Sequence, residues 1–169
     1  MNIAEIITAD CANGEGTRLS VFVSGCTNNC KGCFNPEAQD FNYGIPYDRT
    51  IEDAILHELS KDYYHGLTIL GGEPMERDNQ KGILKLIRRV KRDLPKKTIW
   101  VYTGFLYEDL LPGGKRYFED TTEWIMANID VLVDGPFVEE KKDITLKFRG
   151  SSNQRLVNVP MTRALSYLD

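Results

Sequence analysis

Three of the four cysteines in this chain, Cys26, Cys30 and Cys33, fall within eight residues, on the segment Gly25-Cys26-Thr27-Asn28-Asn29-Cys30-Lys31-Gly32-Cys33-Phe34-Asn35-Pro36. Disulfides between them would close only very short loops. Thiols clustered at C-x3-C-x2-C spacing instead point to a bound metal or to redox work. On an irregular loop three thiolates can converge on one centre, whereas a strand would send them to opposite faces. Gly25 and Gly32 open backbone conformations closed to other residues and so let the loop fold back. The count matters as much as the spacing. A structural zinc site or an electron-transfer cluster normally closes its coordination with four protein ligands. With three, a cubic iron-sulfur cluster keeps one iron open to an exogenous ligand, and chemistry can occur there. The competing reading is zinc held by the same thiolates plus His57, His65 or Cys11. Against it, His57 falls on a predicted helix, and neither histidine stands at a short ligand spacing from the loop. Cys11 reads as a small buried or half-buried thiol.

A second motif, Gly71-Gly72-Glu73-Pro74, closes a short apolar run. Glycine pairs before a proline are common turn material. They also let exposed backbone approach a ligand closely, and Glu73 supplies an acceptor for an ammonium group. An amino-acid head group would suit such a turn.

The elements that must position these motifs alternate between strands and helices. Ile3-Thr8 and Arg18-Ser24 read as strands, the second carrying Leu19, Val21, Phe22 and Val23. Asp48 or Thr50 can cap a helix running to about Lys61. Leu67-Leu70 is the next strand. Ile83, Leu84, Leu86, Ile87 and Val90 keep helical spacing in a helix from Asp78 to Leu94, ended by Pro95. Thr98-Tyr102 predicts a strand, Phe118-Asn128 a helix and Asp130-Val133 another strand, with further strands near Ile144-Phe148 and Leu156-Val159. This order argues for an α/β fold of mostly parallel strands joined by right-handed crossovers. Ligand sites in such folds gather where the carboxyl ends of the strands meet the following loops. Gly25-Cys26, Gly71-Pro74, Thr103-Gly104 and Asp134-Pro136 would then share one rim.

The bulk composition narrows the function classes. The chain has 169 residues, 41% of them hydrophobic, which suits a single domain spanning 1–169. A net charge of -4 supplies no basic field for nucleic acid. No apolar run approaches a membrane span, and the first residues lack the layout of a secretion signal. A cytoplasmic protein is expected.

The cysteine loop after one strand and the Gly-Gly-Glu turn after the next resemble, as a pair, the radical S-adenosylmethionine superfamily. The resemblance implies a compact, incomplete (βα) barrel in which Cys26, Cys30 and Cys33 bind three irons of a 4Fe-4S cluster. S-adenosylmethionine would chelate the fourth iron through its amino and carboxylate groups, with Gly71, Gly72, Glu73 and Pro74 holding the amino end. Phe34 and Thr103 are the other candidate cofactor contacts. The superfamily commonly has an aromatic residue just before the third cysteine, where this chain has Gly32 and carries Phe34 on the other side.

Asn13-Gly14-Glu15-Gly16-Thr17-Arg18, Cys33-Phe34-Asn35-Pro36, Trp100-Val101-Tyr102-Thr103-Gly104, Asp134-Gly135-Pro136-Phe137 and Arg149-Gly150-Ser151-Ser152-Asn153-Gln154-Arg155 narrow the resemblance. They look like the activating proteins of anaerobic, class III ribonucleotide reductases, over nearly the whole chain. That implies reductive cleavage of S-adenosylmethionine and a glycyl radical left on the catalytic subunit of the reductase, with a one-electron donor such as a flavodoxin. Another small radical S-adenosylmethionine enzyme is the runner-up, either a different glycyl-radical activase or a 7-carboxy-7-deazaguanine synthase. A non-catalytic zinc-binding module is the reading from outside enzymes.

Overall fold

The computed structural model describes residues 1–168. Its strands are β1 (Asn2–Asp10), β2 (Arg18–Val23), β3 (Ile45–Pro46), β4 (Gly66–Gly71), β5 (Thr98–Tyr102), β6 (Val131–Asp134) and β7 (Arg155–Asn158). The helices are α1 (Arg49–Leu59), α2 (Arg77–Asp93), α3 (Glu119–Asn128) and α4 (Val159–Ser166). All seven strands form one mixed sheet in the order β3-β1-β2-β4-β5-β6-β7. The central four, β2, β4, β5 and β6, are parallel, and the flanking strands β1, β3 and β7 run antiparallel to their neighbours. The expected α/β alternation therefore describes the middle of the sheet. No α-helix intervenes between β1 and β2 or between β6 and β7, and those connections return as antiparallel pairs.

Strand alternation divides the sheet into two unlike faces. Leu19, Val21, Leu67, Ile69, Ile99 and Val101 bury against Ile55, Leu59, Ile83, Leu86, Ile87 and Ile125 of the helices in one apolar core. The intervening positions are Arg18, Ser20 and Phe22 on β2, Thr68 and Leu70 on β4, and Trp100 and Tyr102 on β5. These face the other way, and all but Phe22 and Leu70 carry a polar group. Arg18 is 1% exposed on that face and is held by five donor contacts. Asp10 accepts there from Ser20 Oγ at 2.6 Å and from Asn13 Nδ2 at 2.7 Å. Loops rather than helices cover this face: Thr68 Oγ1 donates to the Asn13 carbonyl, and the Phe148 ring stands edge-on to Trp100 at 5.4 Å.

Local signals explain the helix ends. Asp48 caps α1, its carboxylate accepting from the Ile51 N–H at 2.9 Å. Asn158 ends β7 and caps α4 through the Met161 N–H at 3.0 Å, so the apolar stretch expected to remain extended to Val159 turns helical there.

The strand expected near Ile144-Phe148 is absent. Asp143 accepts from both the N–H and the hydroxyl of Thr145, an Asx turn, and Phe148 adopts a left-handed φ of 62°. The edge of β6 is already paired with β7, leaving this segment a single bridge, Lys142 to Ser151.

Candidate metal centre

The loops that follow the parallel strands meet at one rim, as the positions of the motifs predict. After β2 the chain turns at Gly25, whose N–H donates to the Ala38 carbonyl at 2.7 Å, and the Cys26 N–H donates to Gln39 at 3.1 Å. The short helical turn Pro36–Gln39 thus ties the far end of the cysteine loop to its beginning. Within the loop the Cys33 N–H donates to the Cys30 carbonyl at 3.2 Å, while Asn29 and Gly32 take left-handed φ values of 48° and 71°. These reversals bring Cys26, Cys30 and Cys33, each half-buried and unpaired, to the wall of one cavity of about 470 Å³.

The Gly-Gly-Glu turn forms the adjacent wall. Gly71 has a φ of 114°, and a Cβ there would lie 2.5 Å from the backbone of Val23, so a side chain could not be accommodated between β4 and β2. The Gly72 N–H donates to the Val23 carbonyl at 2.7 Å and the Glu73 N–H to the Gly25 carbonyl at 2.8 Å. Gly71 and Gly72 face the cavity. Glu73 lies behind that wall, fully buried, its carboxylate accepting from Thr103 Oγ1 at 2.7 Å, Gly104 N at 2.7 Å, Met75 N at 2.9 Å and Asn28 Nδ2 at 3.1 Å. Burial pushes its carboxyl up to about 7, against hydrogen bonds that favour the ionised form. Its oxygens hold the cysteine loop, its own turn and the loop after β5 together. Pro74 is buried in the turn leading to α2 and is not part of the cavity wall.

The other predicted contacts separate by geometry. Phe34 is 70% exposed at the cavity mouth, its ring 4.9 Å from that of Phe137. Thr103 reaches the cavity, but its hydroxyl is engaged by Glu73 and by the Phe105 N–H at 3.1 Å. Asp134 is buried, accepting from the Tyr107 N–H at 2.7 Å and from Arg155. Cys11 is exposed, which corrects the expectation of a buried or half-buried thiol. It follows β1, whose last residue, Asp10, pairs with Arg18 at the start of β2, so Cys11 sits at the opposite end of the sheet from Cys26.

Neither histidine is near the rim. His57 is exposed on α1, and His65 precedes β4, at the far end from Gly71, with Nδ1 accepting from the Thr17 N–H. Among the described residues no three His, Cys, Asp or Glu side chains are drawn together as a ready site for one ion. A tetrahedral zinc would need its thiolates about 3.8 Å apart, given Zn–S bonds of roughly 2.3 Å. The three thiols share one cavity wall without forming such a site. Burial pushes the Cys26 thiol up to about 11, against a hydrogen bond from the Asn28 N–H, and the nearby carboxylates of Glu73 and Glu76 add to the rise, so a cationic centre would favour its thiolate.

Several residues of the rim were not singled out from the sequence. Glu76 accepts from the N–H and hydroxyl of Thr27 at 2.8 and 2.5 Å, and Asn79 Nδ2 donates to the carbonyls of Ser24 and Glu73. Asn79 lies on the apolar face of α2 with Ile83, Leu86 and Ile87, and a polar residue in that register is the signal that could have revealed it.

Residues 12–157 match the family described as a 4Fe-4S single cluster domain. Curated relatives named anaerobic ribonucleoside-triphosphate reductase-activating protein include those of Haemophilus influenzae, 39% identical, and Pasteurella multocida, 40% identical. The alignments cover 91% of this chain in both cases and 96% and 95% of the respective relatives. The protein of that name from enterobacteria phage T4 is 36% identical over 92% of this chain and 93% of its own length. Three thiols opening on one cavity beside a glycine turn, with this similarity along nearly the full length, establish that the chain belongs to the family of anaerobic ribonucleoside-triphosphate reductase-activating proteins.

Proposed function

We propose that this chain activates an anaerobic ribonucleoside-triphosphate reductase by generating a glycyl radical on its catalytic subunit, with residues 1–169 acting as one domain. The observation that carries the reading is the opening of Cys26, Cys30, Cys33, Gly71 and Gly72 onto one cavity at the carboxyl ends of the parallel strands. A 4Fe-4S cluster fits this donor set: three soft sulfur donors, with no histidine or fourth cysteine among the described residues that line the cavity. When bound, the reduced cluster and S-adenosylmethionine would supply a 5'-deoxyadenosyl radical able to take a hydrogen atom from a glycine Cα.

The protein's own residues then have defined tasks. Cys26, Cys30 and Cys33 would hold three irons of the cluster and leave the fourth without a protein ligand. Gly71 and Gly72 present backbone to the amino end of S-adenosylmethionine, with Glu73 and Pro74 setting the path of that turn. Thr103 closes the turn from the neighbouring strand, and Phe34 with Phe137 shields the mouth from water. Helices on one face and a polar, loop-covered face on the other support an incomplete (βα) barrel of the radical S-adenosylmethionine type. Such a barrel leaves room for a protein segment to enter.

The electron would come from a one-electron donor such as a flavodoxin, in the reducing cytoplasm. No helix among the described residues is long and apolar enough to cross a membrane.

The test is anaerobic incubation of the reduced protein with S-adenosylmethionine and an anaerobic reductase, followed by electron paramagnetic resonance. A glycyl radical on the reductase is expected. Cleavage of S-adenosylmethionine without that signal would overturn the partner assignment, and a colourless preparation containing zinc would overturn the chemistry as a whole.

A further inference from the structure

The segment Arg149-Gly150-Ser151-Ser152-Asn153-Gln154-Arg155 leads into β7, and the role of its arginines follows from what each one meets. Arg155 reaches the buried carboxylate of Asp134 and bonds both oxygens of Glu108, at 3.0 and 2.8 Å. These two carboxylates neutralise its charge, and it does not line the cavity. Arg149 is half-buried, and its partner among the described residues is a neutral one, the Gln154 carbonyl, at 2.5 Å from Nη1. The carboxylate of Asp143, nearby in the loop, accepts twice from Thr145 through Oδ1 and interacts with Arg149 through its charge, without a hydrogen bond between them.

Arg149 also reaches the cavity. It is the one Lys, Arg, Asp or Glu among the described lining residues. Its mounting is rigid: Gln154 Oε1 accepts from the N–H groups of Gly150 and Ser151 at 2.9 and 3.1 Å, and Nε2 donates to the Gly135 carbonyl at 3.1 Å. The same loop abuts the cysteine loop. A Cβ on Gly150 would lie 3.2 Å from the rings of Phe34 and Phe137, and Lys31 pairs with Glu139 at 3.5 Å.

We infer that Arg149 is the carboxylate receptor of the cavity, pairing its guanidinium with the carboxylate of the amino-acid end of S-adenosylmethionine. This rests on the reading in which the cavity takes that cofactor. A guanidinium has five N–H donors in a planar fork matched to a carboxylate. One contact to Gln154 orients the fork and leaves the rest of it available. S-adenosylmethionine carries a single anionic group, and the cavity wall holds a single fixed cation. In a partly desolvated site that pairing is stronger than in water and selects one orientation of the ligand.

The test is equilibrium binding of S-adenosylmethionine and of its decarboxylated analogue to the anaerobically reconstituted protein, as wild type, Arg149→Gln and Arg149→Lys. Arg149→Gln is expected to weaken S-adenosylmethionine binding roughly tenfold or more while changing affinity for the decarboxylated analogue little. Arg149→Lys, which keeps the charge but not the fork, is expected to fall between and serves as the test should the glutamine variant fail to fold. Unchanged S-adenosylmethionine affinity in Arg149→Gln, or equal losses for both ligands, would overturn the assignment. Wild-type protein that binds neither ligand would instead overturn the cofactor reading on which it stands.

Discussion

The buried carboxylate of Glu73 is joined to the hydroxyl of Thr103 at 2.7 Å, a bond linking the loops that follow two neighbouring parallel strands. Three further donors, from Gly104, Met75 and Asn28, complete its shell. Glu73→Gln turns one of the acceptor oxygens into a donor, so at least one buried N–H or hydroxyl loses its partner. The expected cost is about 1–3 kcal/mol in denaturant unfolding of the metal-free protein. A variant as stable as wild type would show that this carboxylate does not brace the rim.

Arg18 performs the equivalent task at the other end of the sheet. Its guanidinium donates to Thr68 Oγ1, Glu15 O, Leu67 O, and both Oγ1 and O of Thr98, and lies 5.4 Å from the Trp100 ring centroid. Arg18→Lys keeps the charge but cannot reproduce a planar fork, and leaves buried carbonyls without donors. A loss on the order of 3 kcal/mol is expected, read as a lower denaturant midpoint with an unchanged slope. Retention of the wild-type midpoint would mean that the polar layer beneath the cavity is not what closes this face.

Much of this arrangement could be read from the chain because its signals are local. The spacing of Cys26, Cys30 and Cys33, the apolar runs of β2, β4 and β5, and the period of α2 each declare themselves within a few residues. What the chain did not declare depends on partners distant in sequence. Ile144 looked like strand material, yet it is 90% exposed, because β7 already occupies the edge of β6. Cys11 reads in the sequence as a buried or half-buried thiol, but the turn between β1 and β2 leaves it in solvent. Glu73 read as a group offered to a ligand, and only the packing of Asn28, Thr103 and Gly104 around it shows how fully its oxygens are already engaged.

Acid stability should register Asp10. Burial raises its carboxyl, but hydrogen bonds from the Ser20 hydroxyl, the Ala12 N–H and Asn13 outweigh that and hold it below its ordinary 3.8. A carboxyl depressed in the folded state contributes stability above its unfolded value, and that contribution is lost as pH falls through the folded one. The stability difference between wild type and Asp10→Asn should therefore be constant near neutrality and shrink below about pH 4. Parallel unfolding curves for the two proteins down to pH 3 would show that the native interactions do not shift this group.

Iron content gives the most direct check of the cysteine loop. Cys26, Cys30 and Cys33 come from one short segment, and each is a half-buried part of the same cavity wall, so no neighbouring side chain stands ready to replace one that is removed. Anaerobically purified wild type should be brown and carry four irons with matching sulfide, in keeping with the 4Fe-4S domain it matches. Cys30→Ala should lose most of both while keeping the far-ultraviolet circular dichroism of the metal-free protein, because the Cys33 N–H bonds to the backbone carbonyl of residue 30 and not to its thiol. Cys11→Ala, altered at the opposite end of the sheet, should retain the full complement. If Cys11→Ala lost iron and Cys30→Ala did not, the donors would have been assigned to the wrong rim.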